Sequence, residues 1–128
     1  DQKAVPEFQV LVVDDDADTC ELISLSLKEH GYEVSTARTA KDALRLVNEI
    51  PLHLIILDLN LGDLDGLDLL EPIQKAHPRI PIIIYSGIGL DEQSLERALA
   101  LQKGATSYLH KTQPLDQILA EVKRVLRT

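Results

Sequence analysis

Short apolar runs alternate with longer amphipathic stretches along the chain, and this alternation predicts an α/β fold. Gln9 to Val13 (QVLVV) reads as a buried strand, followed by a helix over Asp18 to Lys28 with Leu22, Ile23, Leu25 and Leu27 at roughly helical spacing. His30 and Gly31 end that helix, the glycine standing where a left-handed residue usually follows the last turn. Glu33 to Ala37 is a weaker strand, and Thr39 to Glu49 a helix with Ala43, Leu44 and Val47 on one face, stopped by Pro51. Leu54 to Asp58 (LIILD) is the third strand, and an acidic, glycine-containing loop leads from it to a helix over Leu67 to Ala76. Pro72 should kink that helix or delay its start.

Pro81 to Tyr85 (PIIIY) is the fourth strand, and Ser86, Gly87 and Gly89 turn the chain into a helix from about 91 to 102, closed by Gly104. Ser107 to His110 is a short fifth strand, and Pro114 to Leu126 a last helix with Ile118, Leu119, Val122 and Val125 facing inward. Strands one, three and four are apolar throughout, as strands covered by helices on both faces should be. Right-handed crossovers then give a doubly wound parallel sheet, whose ligand site belongs at the carboxyl ends of the strands. Residues 9–127 form one domain, and residues 1–8 read as a leader or the stub of a linker.

Composition narrows the class. A chain of 128 residues can bury a core without disulfides or structural zinc, and its one cysteine, Cys20, agrees. A formal charge of −8 argues against nucleic acid or an anionic membrane as the main partner. No run of 18 apolar residues and no signal-peptide pattern is present, so a cytoplasmic module without membrane insertion is expected. The chain lacks Met and begins at Asp1, which suggests a domain cut from something longer.

The expected ligand site has matching chemistry. The first strand is followed by Asp14, Asp15 and Asp16, the third ends in Asp58, the fourth leads into Ser86, and the fifth is followed by Lys111. Helix capping would account for Asp16 and Asp18, and Asp18 with Glu21 has the spacing of a capping box. Capping does not account for Asp14, Asp15 or Asp58. Close carboxylates repel by roughly 4 kcal/mol per pair at an effective dielectric near 20, so they need a compensating cation. Oxygen ligands without Cys or His suit Mg²⁺ or Mn²⁺ better than zinc. Lys111 on this rim is placed to bind an anion, and a phosphoryl group is the anion that brings Mg²⁺ with it. The four histidines, His30, His53, His77 and His110, show no ligand spacing.

From Gln9 to Leu126 the chain resembles the receiver domain of two-component response regulators. The matching pieces are VLVVDDDADTCELI, LIILDLNLGDLDGLDLL, PIIIYSG and GATSYLHK, specific jointly and weak singly. The resemblance implies a flavodoxin-like (βα)5 sandwich with strand order 2-1-3-4-5 and five helices. It makes Asp58 the phosphoacceptor that attacks a phosphohistidine on a histidine kinase or histidine phosphotransfer protein. It makes Asp14 and Asp15 the acidic pair, Asp15 binding Mg²⁺ directly and Asp14 through water, with Asp58 and the Asn60 carbonyl as further ligands. Ser86 and Lys111 would hold the phosphoryl group, and Ser86 and Tyr108 would switch with it. The fourth helix, fifth strand and fifth helix would present the changed surface to an output domain or a second copy.

Two residues depart from the family pattern. Gly62 stands where proline usually lies four residues after the phosphoacceptor, and Thr112 where proline usually follows the lysine, which removes the reason to expect a cis peptide there. Asn60 and Ile88 occupy positions that tune dephosphorylation in the family. The alternatives are a receiver-like adaptor that binds without a phosphorylation cycle and a Mg²⁺-dependent phosphatase on the same fold. The charge itself is localised: residues 4–27 and 46–74 each hold six acids and no Lys or Arg, while the rest of the chain is mildly basic. Each acidic window is centred near the end of a strand that supplies the site.

Overall fold

The computed structural model describes residues 8–62, 64–87 and 95–128. Five strands, β1 (Gln9–Val13), β2 (Glu33–Ala37), β3 (Leu54–Leu57), β4 (Ile82–Ser86) and β5 (Ser107–His110), form one parallel sheet in the order β2-β1-β3-β4-β5. The helices are α1 (Ala17–Glu29), α2 (Ala40–Glu49), α3 (Leu70–Ala76), α4 (Leu95–Gln102) and α5 (Leu115–Leu126). The expected doubly wound (βα)5 architecture and strand order are therefore observed. The start of the predicted fourth helix, Gly89, Ile88 and most of the expected leader lie outside the described residues.

Period-two alternation along buried strands supplies a core on each face of the sheet. Leu11, Val13, Ile55, Leu57, Ile82, Ile84 and Tyr108 pack with Ala43, Val47, Ile73 and Ala100 from α2, α3 and α4. Val10, Val12, Leu54, Ile56, Ile83 and Tyr85 pack with Ile23, Leu27, Ile118 and Val122 from α1 and α5.

The reading of α1 changes, while those of Pro72 and the glycine stops hold. Asp16, not Asp18, caps α1, its carboxylate accepting from Thr19 N–H at 3.2 Å and from the Thr19 hydroxyl at 2.6 Å. The helix thus begins a turn's fraction earlier, at Ala17, and places Asp18 inside its first turn. Consequently Cys20, Ile23, Ser24 and Leu27 form the buried stripe of α1, while Leu22 and Leu25 point to solvent. Pro72 delays its helix, as one of the two expected outcomes: a 3₁₀ turn over Gly66–Leu69 precedes α3, and the proline falls in the first α turn, where no intrahelical N–H is needed. Gly31 and Gly104 adopt φ of +92° and +109° just beyond α1 and α4, as the stop signals required.

Candidate functional site

The sheet pairing carries the site residues to one rim. Asp14 N–H donates to the Ala37 carbonyl at 3.0 Å, and Asp58 N–H donates to the Val13 carbonyl at 2.9 Å, so the two acids continue adjacent strands. Lys111 N–H donates to the Ser86 carbonyl at 2.9 Å and extends β5 beside β4. Carboxylate oxygens of Asp14, Asp15 and Asp58 come within 4.8 Å of one another. Asp14 and Asp58 are buried and Asp15 is exposed, so the cluster is open on one side.

Lys111 supplies part of the cation that the sequence required. Its Nζ lies 2.8 Å from Asp14 Oδ2 and 3.2 Å from Asp58 Oδ2. The remaining carboxylate oxygens are held by the backbone: Asp14 Oδ1 accepts from Asp16 N–H at 2.9 Å, and Asp58 Oδ1 from Asn60 N–H at 3.2 Å. Burial pushes the Asp14 carboxyl above its usual 3.8, against the pull of the Lys111 hydrogen bond. Burial also works against the Lys111 ammonium, but the Asp14 and Asp58 carboxylates outweigh it and raise that group above 10.5. One ammonium shared by two buried acids beside a third leaves the cluster short of positive charge. An all-oxygen set with one exposed member fits a hard divalent cation such as Mg²⁺.

A family model described as the response regulator receiver domain matches residues 10–123. This chain belongs to that family. A response regulator receiver domain protein (CheY-like) from Methanospirillum hungatei superposes with a TM-score of 0.87 at 30% identity, over 94% of each chain. A response regulator from Burkholderia pseudomallei, described with a phosphorylated aspartic acid, calcium ion and citrate, superposes at 0.81 with 30% identity, over 89% of this chain and 65% of that one. An NtrX-like response regulator of Rickettsia typhi is 35% identical over 120 residues, which are 92% of this chain and 25% of that protein. The chain thus spans about a quarter of the length of the curated relatives it matches. As a receiver, it is a phosphoacceptor switch of two-component systems.

Of the remaining predicted residues, Ser86 and Asn60 lie at the same rim, and Tyr108 sits further back along β5, opposite Ile84. Ser86 is fully buried, and its side chain lies beside the Tyr108 phenol, which is also buried and whose pKa it pulls down against burial. Burial raises the Tyr108 phenol above 10.0, and the Arg97 guanidinium stands 5.9 Å from the centre of its ring. Asn60 is exposed beside Asp58, and its Oδ1 accepts from Gly62 N–H at 3.3 Å. That contact explains the first departure from the family pattern, because Gly62 sits at φ +80° and donates an N–H that proline lacks.

Gly66 was not singled out from the sequence. A Cβ at this position would lie 2.5 Å from the Asp58 carbonyl oxygen and 2.7 Å from Leu59 Cα. Its N–H donates to the Leu59 carbonyl at 2.6 Å, so the start of the 3₁₀ turn packs directly under the backbone that carries Asp58. The available signal was the glycine within LGDLDGLDLL, eight residues beyond Asp58, but a glycine in an acidic loop reads equally as a turn.

Proposed function

We propose that Asp58 is the phosphoacceptor, receiving a phosphoryl group from a phosphohistidine of a sensor histidine kinase or histidine phosphotransfer protein. The observation that carries this reading is the convergence of Asp14, Asp15 and Asp58 with Lys111 at the open rim. A carboxylate oxygen of Asp58 attacks phosphorus, the P–N bond breaks, and its electron pair returns to the leaving imidazole. Lys111, already bonded to Asp58 Oδ2, follows the charge onto the phosphoryl oxygens, and Ser86 donates its hydroxyl hydrogen to one of them. Mg²⁺ or Mn²⁺, held by Asp14, Asp15, Asp58 and the Asn60 carbonyl, would supply the remaining charge neutralisation. The description of the Burkholderia regulator, with a phosphorylated aspartic acid and a calcium ion, supports both the acceptor chemistry and a hard cation beside it.

In this reading Ser86 moves toward the phosphoryl group and Tyr108 follows, because its phenol lies beside the Ser86 side chain. The surface of α4, β5 and α5 then reports the state to an output domain or a second copy. Residues 9–127 constitute the receiver, which works in the cytoplasm and loses its phosphoryl group by self-catalysed hydrolysis. No helix among the described residues is long and apolar enough to cross a membrane.

The test is incubation with acetyl phosphate and Mg²⁺, followed by intact mass. The wild-type chain should gain one phosphoryl group, and Asp58→Asn should gain none while keeping its circular dichroism. Chelating the divalent ion should abolish the gain. An unmodified wild type, under conditions that modify a reference receiver, overturns the reading in favour of a binding adaptor. Phosphorylation that persists in Asp58→Asn moves the acceptor elsewhere.

A further inference from the structure

Beside the phosphoacceptor rim, the Nε2 of His110 is buried without a hydrogen-bond partner, the one such side-chain atom among the described residues. The ring proton resides on that atom: Thr112 N–H donates to His110 Nδ1 at 3.1 Å, so Nδ1 is the acceptor and Nε2 bears the hydrogen. The Thr112 hydroxyl lies 2.8 Å from the same Nδ1, and the His110 backbone N–H donates to Gln113 Oε1 at 3.2 Å. The ring is therefore clamped to its own turn by a residue that departs from the family's usual proline, which would have no N–H to give. A buried donor left unpaired is costly and rare, and its persistence calls for a partner in another state of the molecule.

The sheet identifies that partner. His110 is paired in register with Ser86, and Tyr108 with Ile84. Ile82, Ile84 and Tyr108 belong to one core layer, whereas Ile83 and Tyr85 belong to the other. Alternation places Ser86 and His110 on the face of Ile84 and Tyr108, side by side at the strand ends. A hydroxyl has one hydrogen to donate and two lone pairs to accept with. Once the Ser86 hydrogen turns to a phosphoryl oxygen, its oxygen can accept from a neighbouring N–H.

We propose that His110 is a positioning residue for the phosphorylated state, its Nε2–H donating to the Ser86 hydroxyl oxygen and holding that hydroxyl on the phosphoryl group. The role rests on Asp58 being the phosphoacceptor. The test titrates the chain with beryllofluoride in the presence of Mg²⁺ while following the imidazole Nε2–H correlation by NMR. In wild type that proton should move downfield and become protected from exchange as the probe binds. His110→Leu should weaken beryllofluoride binding about fivefold, the equivalent of one ordinary hydrogen bond, without lowering thermal stability. His110→Gln, which keeps a donor near the Nε2 position, should restore most of the affinity. In a Ser86→Ala background, His110→Leu should change nothing further. Wild type that fails to bind beryllofluoride overturns both readings. Wild type that binds with an unmoved Nε2–H signal, or a His110→Leu that binds as tightly as wild type, overturns the role of His110 alone. Should His110→Leu not fold, the wild-type proton signal decides.

Discussion

Strand β5 carries an acid–base grouping at each end, and the two behave oppositely. At its start, the Ser107 hydroxyl donates to Glu121, whose carboxylate is gripped by Arg124 through Nε at 3.0 Å and through Nη2, and Arg124 Nη2 also lies 3.3 Å from Ser107 Oγ. The Arg124 hydrogen bond holds the Glu121 carboxyl below its usual 4.5. Beyond the other end, Lys111 makes an equally close contact with Asp14, yet the Asp14 carboxyl is displaced upward. Burial decides the sign: the Asp14 side chain is 3% exposed, that of Glu121 17% and that of Arg124 65%. The outer grouping is electrostatically complete. The inner one is an unfinished charge balance, which is a property a cation- and phosphoryl-binding site needs and a surface ion pair lacks.

The largest expected effect comes from disturbing the inner grouping without touching a charge. Gly66→Ala would drive a methyl group into the Asp58 carbonyl oxygen and Leu59 Cα, both backbone atoms that cannot swing aside. A destabilisation of about 3 kcal/mol is expected, at the upper end for overpacking. Urea denaturation measures it, and phosphorylation by acetyl phosphate should slow because Asp58 is displaced. A variant as stable and as reactive as wild type would mean that the loop beneath Asp58 is free to shift.

Removing the shared ammonium is next. Lys111→Met leaves Asp14 and Asp58 buried together without their cation and should cost about 2 kcal/mol in the absence of divalent ions. Added Mg²⁺ should recover much of that loss and bind this variant more tightly than wild type, since the ammonium no longer competes for the carboxylates. The corresponding Arg124→Met change at the exposed pair should alter stability far less, with no response to Mg²⁺. Equal costs at the two ends, or Mg²⁺ binding weakened in Lys111→Met, would contradict an inner site short of positive charge.

The same contrast explains what could be read from sequence. Leu54 to Leu57 and Ile82 to Ile84 admit only buried strands between helix layers, and the residues at their carboxyl ends then share a rim by topology alone, which made Asp14, Asp58, Ser86 and Lys111 legible. The stripe of α1 was not, because four apolar residues within Leu22–Leu27 fit more than one helical phase, and the cap at Asp16 fixes the phase that exposes Leu22 and Leu25. Gly66 acts through a loop folding back onto the backbone of Asp58 and Leu59, and His110 across a strand pair, and neither has a residue type that announces such a contact. The bond between Lys111 and the two acids was invisible for a related reason: the sequence called for a cation, and a divalent ion or a lysine reaching across the rim could each supply it.

The smallest expected effect is the pH dependence of folding, and there the two acids must diverge in sign. A carboxyl whose folded pKa lies below its unfolded value binds fewer protons when folded, so Glu121 contributes stability above about 4.5 that is lost as pH falls through its lowered folded value. Asp14 is the reverse: its raised folded pKa makes the folded state the better proton acceptor, so its ionisation removes stability as pH rises from 3.8 through that raised value. Comparing wild type with Glu121→Gln and with Asp14→Asn by urea denaturation, from about pH 3 to about pH 7 without divalent ions, isolates each slope from the other carboxyls. The stability difference between wild type and Glu121→Gln should grow with pH, and that between wild type and Asp14→Asn should move the other way. With saturating Mg²⁺ only the second curve should turn over, because an ion bound at the cluster favours ionised Asp14 and makes the folded state the poorer proton acceptor. Parallel curves for the two variants, or an Asp14 curve indifferent to Mg²⁺, would mean that burial leaves no charge deficit at the strand ends and that the two groupings differ only in exposure.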